Sequence, residues 1–163
     1  MTGTTGRLLR FAAIVGIGLA AAAVATGTAV AADSGSGGHH GDPPRVKGTP
    51  CTASAHSCVD LANNKAWLID DGKIARGPVA ISHGGQGKET PTGTFRVLWK
   101  DQDHKSAEFD DAPMPYSVFF ADGGIAFHQG NPNNPSAGCV HLSAADAQAW
   151  FAALEVGDEV QVR

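Results

Sequence analysis

Basic residues are few in this chain: 12 Lys and Arg stand against 16 Asp and Glu, for a formal charge of -4. The electrostatic footprint that nucleic acid or an anionic membrane surface requires is therefore missing. The Gly-rich segment Gly84-Gly85-Gln86-Gly87-Lys88 lacks the strand-to-helix setting and the Lys-Ser/Thr ending of a phosphate loop, and reads as a hairpin loop. Asp101, Asp103, Glu108, Asp110 and Asp111 lack the ligand spacing of a calcium loop and read as a solvated stretch. No internal repeat is present. Cysteine is scarce, at three residues, and none stands directly at the end of the N-terminal apolar run, which excludes lipid attachment there. Arg7 and Arg10 are not adjacent, so nothing suggests twin-arginine export.

What is present begins with a leader. Arg7 and Arg10 precede an uncharged stretch from Phe11 to Ala32, with Ile14, Val15, Ile17, Leu19 and Val24 among alanines and small residues before Asp33. This is the tripartite pattern of a secretory signal, with cleavage expected after Ala32. An uncleaved anchor is the alternative, because about twenty residues also suffice to span a bilayer; the alanine-rich, weakly apolar core favours cleavage. Loss of residues 1–32 moves the formal charge from -4 to -6. Residues 33–50 are rich in Gly, Ser and Pro and read as a flexible linker, with His39 and His40 solvated. Residues 51–163 suit one small domain.

In an oxidising compartment, three cysteines read as one bridge and one leftover. Cys51 and Cys58 flank the polar, turn-like stretch from Thr52 to Ser57, a loop that is easily closed. Such a bridge contributes roughly 2.5 kcal/mol in the chain-entropy picture. Cys139 is then the odd thiol, and an unpaired thiol kept outside the cell is better explained by chemistry than by packing. The alternatives are pairing with another chain or inert burial.

Cys139 stands in Ser136-Ala137-Gly138-Cys139-Val140-His141, and His128 lies eleven residues upstream. A thiol reacts as its thiolate, so it needs a base, and it needs backbone N–H groups for the developing oxyanion. Taken alone, the segment fits a nucleophile and a small buried hydrophobe equally well. A zinc module built on His128, Cys139 and His141 is a competing reading, but no fourth ligand is evident.

Most of the domain reads as strand. Val59–Ala62 and Lys65–Ile69 flank the turn pair Asn63-Asn64. Lys73–Ser82 follows, then Thr94–Trp99, then Tyr116–Phe120 and Ile125–His128 across Asp122-Gly123-Gly124. On the last of these, Ile125 and Phe127 share one face and Ala126 and His128 the other, which presents His128 to a cleft. A satisfied structural histidine is the alternative there. Ser143 with Asp146 marks a helix start, Ala147, Trp150, Phe151 and Leu154 form its apolar stripe, and Gly157 marks its end. Glu159–Val162 closes the chain as a strand. One helix after several hairpins makes a mainly β domain. Trp67, Trp99 and Trp150 are expected in the core, and His83 and His104 in polar loops.

The blocks Thr90-Pro91-Thr92-Gly93-Thr94-Phe95, Met114-Pro115-Tyr116, Ile125-Ala126-Phe127-His128, Ser136 to Val140 and Gly157-Asp158-Glu159-Val160 carry a family likeness in their order and spacing. Through them the sequence from Cys51 to Arg163 resembles the L,D-transpeptidase (YkuD-type) catalytic domain of bacterial cell-wall enzymes. The resemblance implies a β-sandwich-like fold with one α-helix in its C-terminal half. It implies Cys139 as nucleophile, His128 as its base, and an oxyanion hole at the amides around Gly138 and Cys139. Ser136, Ala137, Gln129, His141, Tyr116 and Met114 are the implied oxyanion or substrate contacts. The implied reaction cuts a peptidoglycan stem peptide before its terminal D-alanine, forms a thioester, and passes the acyl group to a second stem's side-chain amine. Water as acceptor makes the site an L,D-carboxypeptidase, and a non-catalytic wall-binding or zinc-binding module is the alternative from another class. No metal or cofactor is implied; carbapenem-type β-lactams are expected as covalent inhibitors, and the protein as a secreted, cell-wall-associated monomer.

The chain departs from that pattern in carrying Ala137 where many members have histidine, His141 where they have arginine or asparagine, Gln129 after the histidine, and a short loop from Gln129 to Gly138. His141 could hold a substrate carboxylate or stand at the surface. A His128-activated Cys139 is expected to alkylate fast near neutral pH, and His128→Ala to slow it.

Overall fold

The computed structural model describes residues 43–163. The leader expected over residues 1–32 and most of the expected linker lie outside the described residues. Within the described residues the domain starts before Cys51. Val46 is 6% exposed and packs with Cys51, Ala55, Cys58, Trp67 and Ile69. Its N–H donates to Cys51 O at 2.9 Å, and Thr49 N–H donates back to Val46 O at 3.0 Å. One apolar side chain and a tight turn thus tie the linker's end to the core, which Gly and Pro content alone does not reveal. Cys51 and Cys58 are disulfide-bonded, and Cys139 is the free cysteine.

Among the described residues nine strands and one helix follow: β1 Ser57–Asp60, β2 Lys65–Asp70, β3 Lys73–Ala80, β4 Gly93–Arg96, β5 Trp99–Lys105, β6 Pro113–Ala121, β7 Ile125–Gln129, β8 Val140–Leu142, α1 Ala144–Ala153 and β9 Glu159–Val162. They form two sheets, ordered β3-β2-β1-β9-β4 and β5-β6-β7-β8. Val59, Val160 and Val162 of the first sheet and Val118, Phe120 and Phe127 of the second belong to one buried cluster. This is the mainly β, two-sheet architecture with a single helix that the pattern predicts.

The expected strand from Thr94 to Trp99 is two strands. Val97 N–H donates to Asp158 O on the first sheet's side, and Leu98 N–H donates to Phe119 O of β6. With Val97 buried at the crossing, the chain leaves one sheet and enters the other within two residues. β5, expected as a charged loop, is an edge strand whose solvent face explains its Lys, Asp and His content.

α1 packs on β6, β7 and β8. Its N-cap is Ser143, whose Oγ accepts from Asp146 N–H at 3.2 Å, and Arg76 of β3 donates to the Asp146 carboxylate at 2.7 and 2.9 Å. Trp150 is fully buried, and its indole N–H donates to Ser57 Oγ of β1 at 3.0 Å, joining the helix to the first sheet. The helix ends at Ala153 with Leu154 as its cap. Gly157 serves the following turn instead, with φ +97°.

Candidate active site

Two parallel neighbours, β7 and β8, bring the chemical groups together. Their register pairs Phe127 with Val140 and His128 with His141, so Cys139 enters at the mouth of β8 beside Ala126. His128, Cys139 and His141 line one cavity of about 600 Å³, with Trp99, Phe119 and Met114 forming part of its wall. The sequence reading of His128 at a strand end facing a cleft therefore matches its position.

His128 is 7% exposed. Its Nδ1 lies 2.8 Å from the carbonyl oxygen of Gln129. A carbonyl only accepts, so Nδ1 carries the proton and Nε2 keeps its lone pair. Burial, and after it the nearby imidazoles of His141 and His104, lower the His128 pKa to about 4 against the opposing pull of the Gln129 carbonyl. The ring is neutral at physiological pH.

Cys139 is half-buried, and its Sγ lies 3.6 Å from Gly124 O, which can accept the thiol proton. Burial raises its pKa, the Ala126 amide opposes that shift, and the Glu108 charge adds to it. The resting pair is a neutral thiol and a neutral imidazole. This differs from the expectation of a thiol already activated near neutral pH, because burial disfavours the charged form of each partner.

Ser136 shapes the turn that presents the sulfur. Its hydroxyl donates to Cys139 O at 2.5 Å and accepts from Gly138 N–H at 3.0 Å. The Gly138 amide is thus already used, which corrects the expectation that it faces an oxyanion; the Ala137 and Cys139 amides are the remaining donors of the turn. Gly138 has φ +123°, a backbone conformation that a side chain would strain, and a Cβ there would also displace the end of the Ile125 side chain. Thr90, 3% exposed, donates to Gly138 O at 2.6 Å and accepts from Gly84 N–H at 2.9 Å. It is a support that the sequence reading included only as part of a family block.

His141 is half-buried and lines the cavity. Its Nδ1 lies 3.2 Å from Ser82 Oγ, which itself donates to Asn131 O at 3.0 Å. The carbonyls of Asn131 and Asn134 face the ring and oppose the lowering of its pKa by burial. A Cβ on Gly130 would stand 2.5 Å from the His141 ring. His141 thereby pins the short loop after Gln129, and its ring meets that of His128 edge-on at 4.8 Å.

The remaining predicted contacts divide. Ala137 and Gln129 are exposed on the cavity wall, and Met114 lines it while 8% exposed. Tyr116 does not face the cavity: its ring packs on Phe151 of α1 at 5.9 Å, and its hydroxyl accepts from Gln148 Nε2 at 3.1 Å. Its φ of +59° accompanies a gap in the β5–β6 ladder, where Tyr116 has no paired residue although the register on either side is unbroken. Trp99, expected in the core, is 43% exposed on the cavity wall and stacks on Phe119 at 3.8 Å with 6° between planes. Among the described residues, no three His, Cys, Asp or Glu side chains are grouped to hold a metal ion.

Comparison with known proteins places these features in a family context. The sequence pattern of the YkuD L,D-transpeptidase catalytic domain matches residues 54–162. Among solved structures, an L,D-transpeptidase from Stackebrandtia nassauensis is 30% identical, with 66% of this chain and 54% of that chain covered and a TM-score of 0.61. An L,D-transpeptidase of Enterococcus faecium is 25% identical, covering 68% and 50%, with a TM-score of 0.59. The Ldtfm-avibactam carbamoyl enzyme is also 25% identical, covering 68% and 49%, with a TM-score of 0.61. This chain spans about half the length of these solved relatives. No curated protein matches it.

Proposed function

The chain belongs to the L,D-transpeptidase catalytic-domain family, and on that premise we propose that it is an exported cysteine acyltransferase that crosslinks peptidoglycan stem peptides. The observation that carries this reading is the tautomer of His128: Gln129 O holds Nδ1–H, which leaves Nε2 with its lone pair on a ring that lines the same cavity as Cys139.

The cycle follows from two neutral partners. As Cys139 Sγ attacks the carbonyl carbon before the terminal D-alanine, the thiol proton passes to His128 Nε2. The oxyanion falls to free amides of the Ala137–Cys139 turn. The C–N bond breaks, D-alanine leaves with the proton from His128, and a thioester remains on Cys139. A second stem's side-chain amine then attacks the thioester, and sulfur departs and recovers a proton through His128. Because proton and bond move together, no standing thiolate is needed, which limits oxidation of the half-buried cysteine outside the cell.

Purified tetrapeptide muropeptides test the reading. The expected products are free D-alanine and a crosslinked dimer, both lost in Cys139→Ala. D-alanine with tripeptide and no dimer would mean that water is the acceptor. Neither product from a folded protein would contradict the proposal. Export rests on the leader composition of residues 1–32 and on the Cys51–Cys58 bridge, and N-terminal sequencing of the wall-fraction protein checks it.

A further inference from the structure

Among the residues lining the cavity, Glu108 is the only Asp, Glu, Lys or Arg. The next residue, Phe109, is 45% exposed and lines the same space. A primary ammonium already sits on this pair. Lys88 reaches from the Gly84–Lys88 loop, placing Nζ 3.6 Å from Glu108 Oε1 and 5.1 Å from the Phe109 ring centroid. A carboxylate beside an aromatic face is a recognised receptor for an alkylammonium ion. The Lys88 and Glu108 side chains are 53% and 68% exposed, so the internal pair is weakly held and open to exchange.

We propose that Glu108 and Phe109 form the subsite for the acceptor's side-chain ammonium, and that Lys88 occupies it until the acceptor arrives. The proposal rests on the transpeptidase reading above and deepens it, since the acceptor amine is a primary alkylamine like that of lysine. No cation in the cavity lining competes for Glu108. The Glu108 charge, after burial, acts to raise the Cys139 pKa, in keeping with a place near the reacting sulfur.

Recruitment and reaction are separate steps. The ammonium binds Glu108, then sheds one proton to solvent as it moves to the thioester. Its nitrogen attacks the carbonyl carbon, a second proton passes to His128 Nε2, and the C–S bond breaks with its electron pair on sulfur. His128 returns that proton to Cys139, leaving thiol, neutral imidazole and a new amide. Nothing else is consumed.

The full-length protein with purified tetrapeptide muropeptides tests this. The measured quantities are the ratio of crosslinked dimer to hydrolysed tripeptide and its dependence on muropeptide concentration and salt. Glu108→Gln should lower the ratio about two- to fivefold by raising the acceptor KM. Lys88→Met should raise it, because the competitor is gone, and the double variant should follow Glu108→Gln. Added salt should lower the wild-type ratio more than that of Glu108→Gln. A ratio that Glu108→Gln leaves unchanged or raises, or that Lys88→Met lowers, overturns the subsite. If the wild type releases no D-alanine and intact mass shows no acyl-enzyme, the transpeptidase reading fails first and the subsite falls with it.

Discussion

The Thr90 hydroxyl donates to the carbonyl oxygen of Gly138 at 2.6 Å, joining the end of the Gly-rich loop to the residue that precedes the nucleophile. Both residues are buried, so the bond has no water to replace it. Thr90→Val keeps the shape, removes the donor and leaves the carbonyl unpaired. The expected cost is about 1–3 kcal/mol of stability together with slower acylation of Cys139. Thr90→Ser should retain most of both. Urea denaturation and adduct formation, measured on the two variants side by side, decide this; equal behaviour would remove Thr90 from the support of the site.

Burial of a neutral His128 makes folding depend on pH. Its folded pKa is about 4 against an ordinary value of 6.5, so between those values the unfolded chain binds a proton that the folded one does not. Stability should therefore decline as pH falls below about 6.5 and level off below about 4, with a contribution of roughly 3 kcal/mol from this residue. His141, whose pKa is also lowered, acts in the same direction. Urea midpoints at pH 7 and pH 4 should differ less in His128→Asn than in the wild type. An equal difference would mean that His128 is not buried neutral.

The resting thiol should be unreactive near neutral pH. Burial raises the Cys139 pKa and lowers that of His128, so a preformed thiolate–imidazolium pair is disfavoured from both sides. Alkylation by iodoacetamide should be slow near pH 7, rise steadily into the alkaline range, and be slower still in His128→Ala, which lacks the base that takes the thiol proton. Fast, pH-independent alkylation between about pH 5 and 8 would show an ion pair of the kind found in low-pKa cysteine sites.

Much of the scaffold was legible in the sequence because its signals are local. Asn63-Asn64 and Asp122-Gly123-Gly124 mark real turns, Ser143 caps the helix, and the alternation in Ile125–His128 places the imidazole. What was not legible depends on distant partners. The sheet switch at Val97–Leu98 is set by Asp158 and Phe119, and the exposure of Trp99 by its stack on Phe119. In the site, Cys139 and His128 stood out by residue type. The loss of the Gly138 amide to Ser136, the fixing of the loop by His141 and the turn of Tyr116 to the helix are hydrogen-bond and packing choices that composition does not encode. The Lys88–Glu108 contact joins a segment that reads as a hairpin loop to one that reads as solvated.

That Cys139 is an acyl-accepting nucleophile is tested most directly by intact-mass spectrometry after incubation with imipenem, followed by peptide mapping. A carbapenem offers a strained acyl group in the place of the donor peptide, so it needs the sulfur and the His128 base but no acceptor. The expected result is one adduct per chain, located on the peptide carrying Cys139, absent in Cys139→Ser, and formed much more slowly in His128→Ala. A folded wild-type protein that stays unmodified, or an adduct that persists in Cys139→Ser, would contradict it.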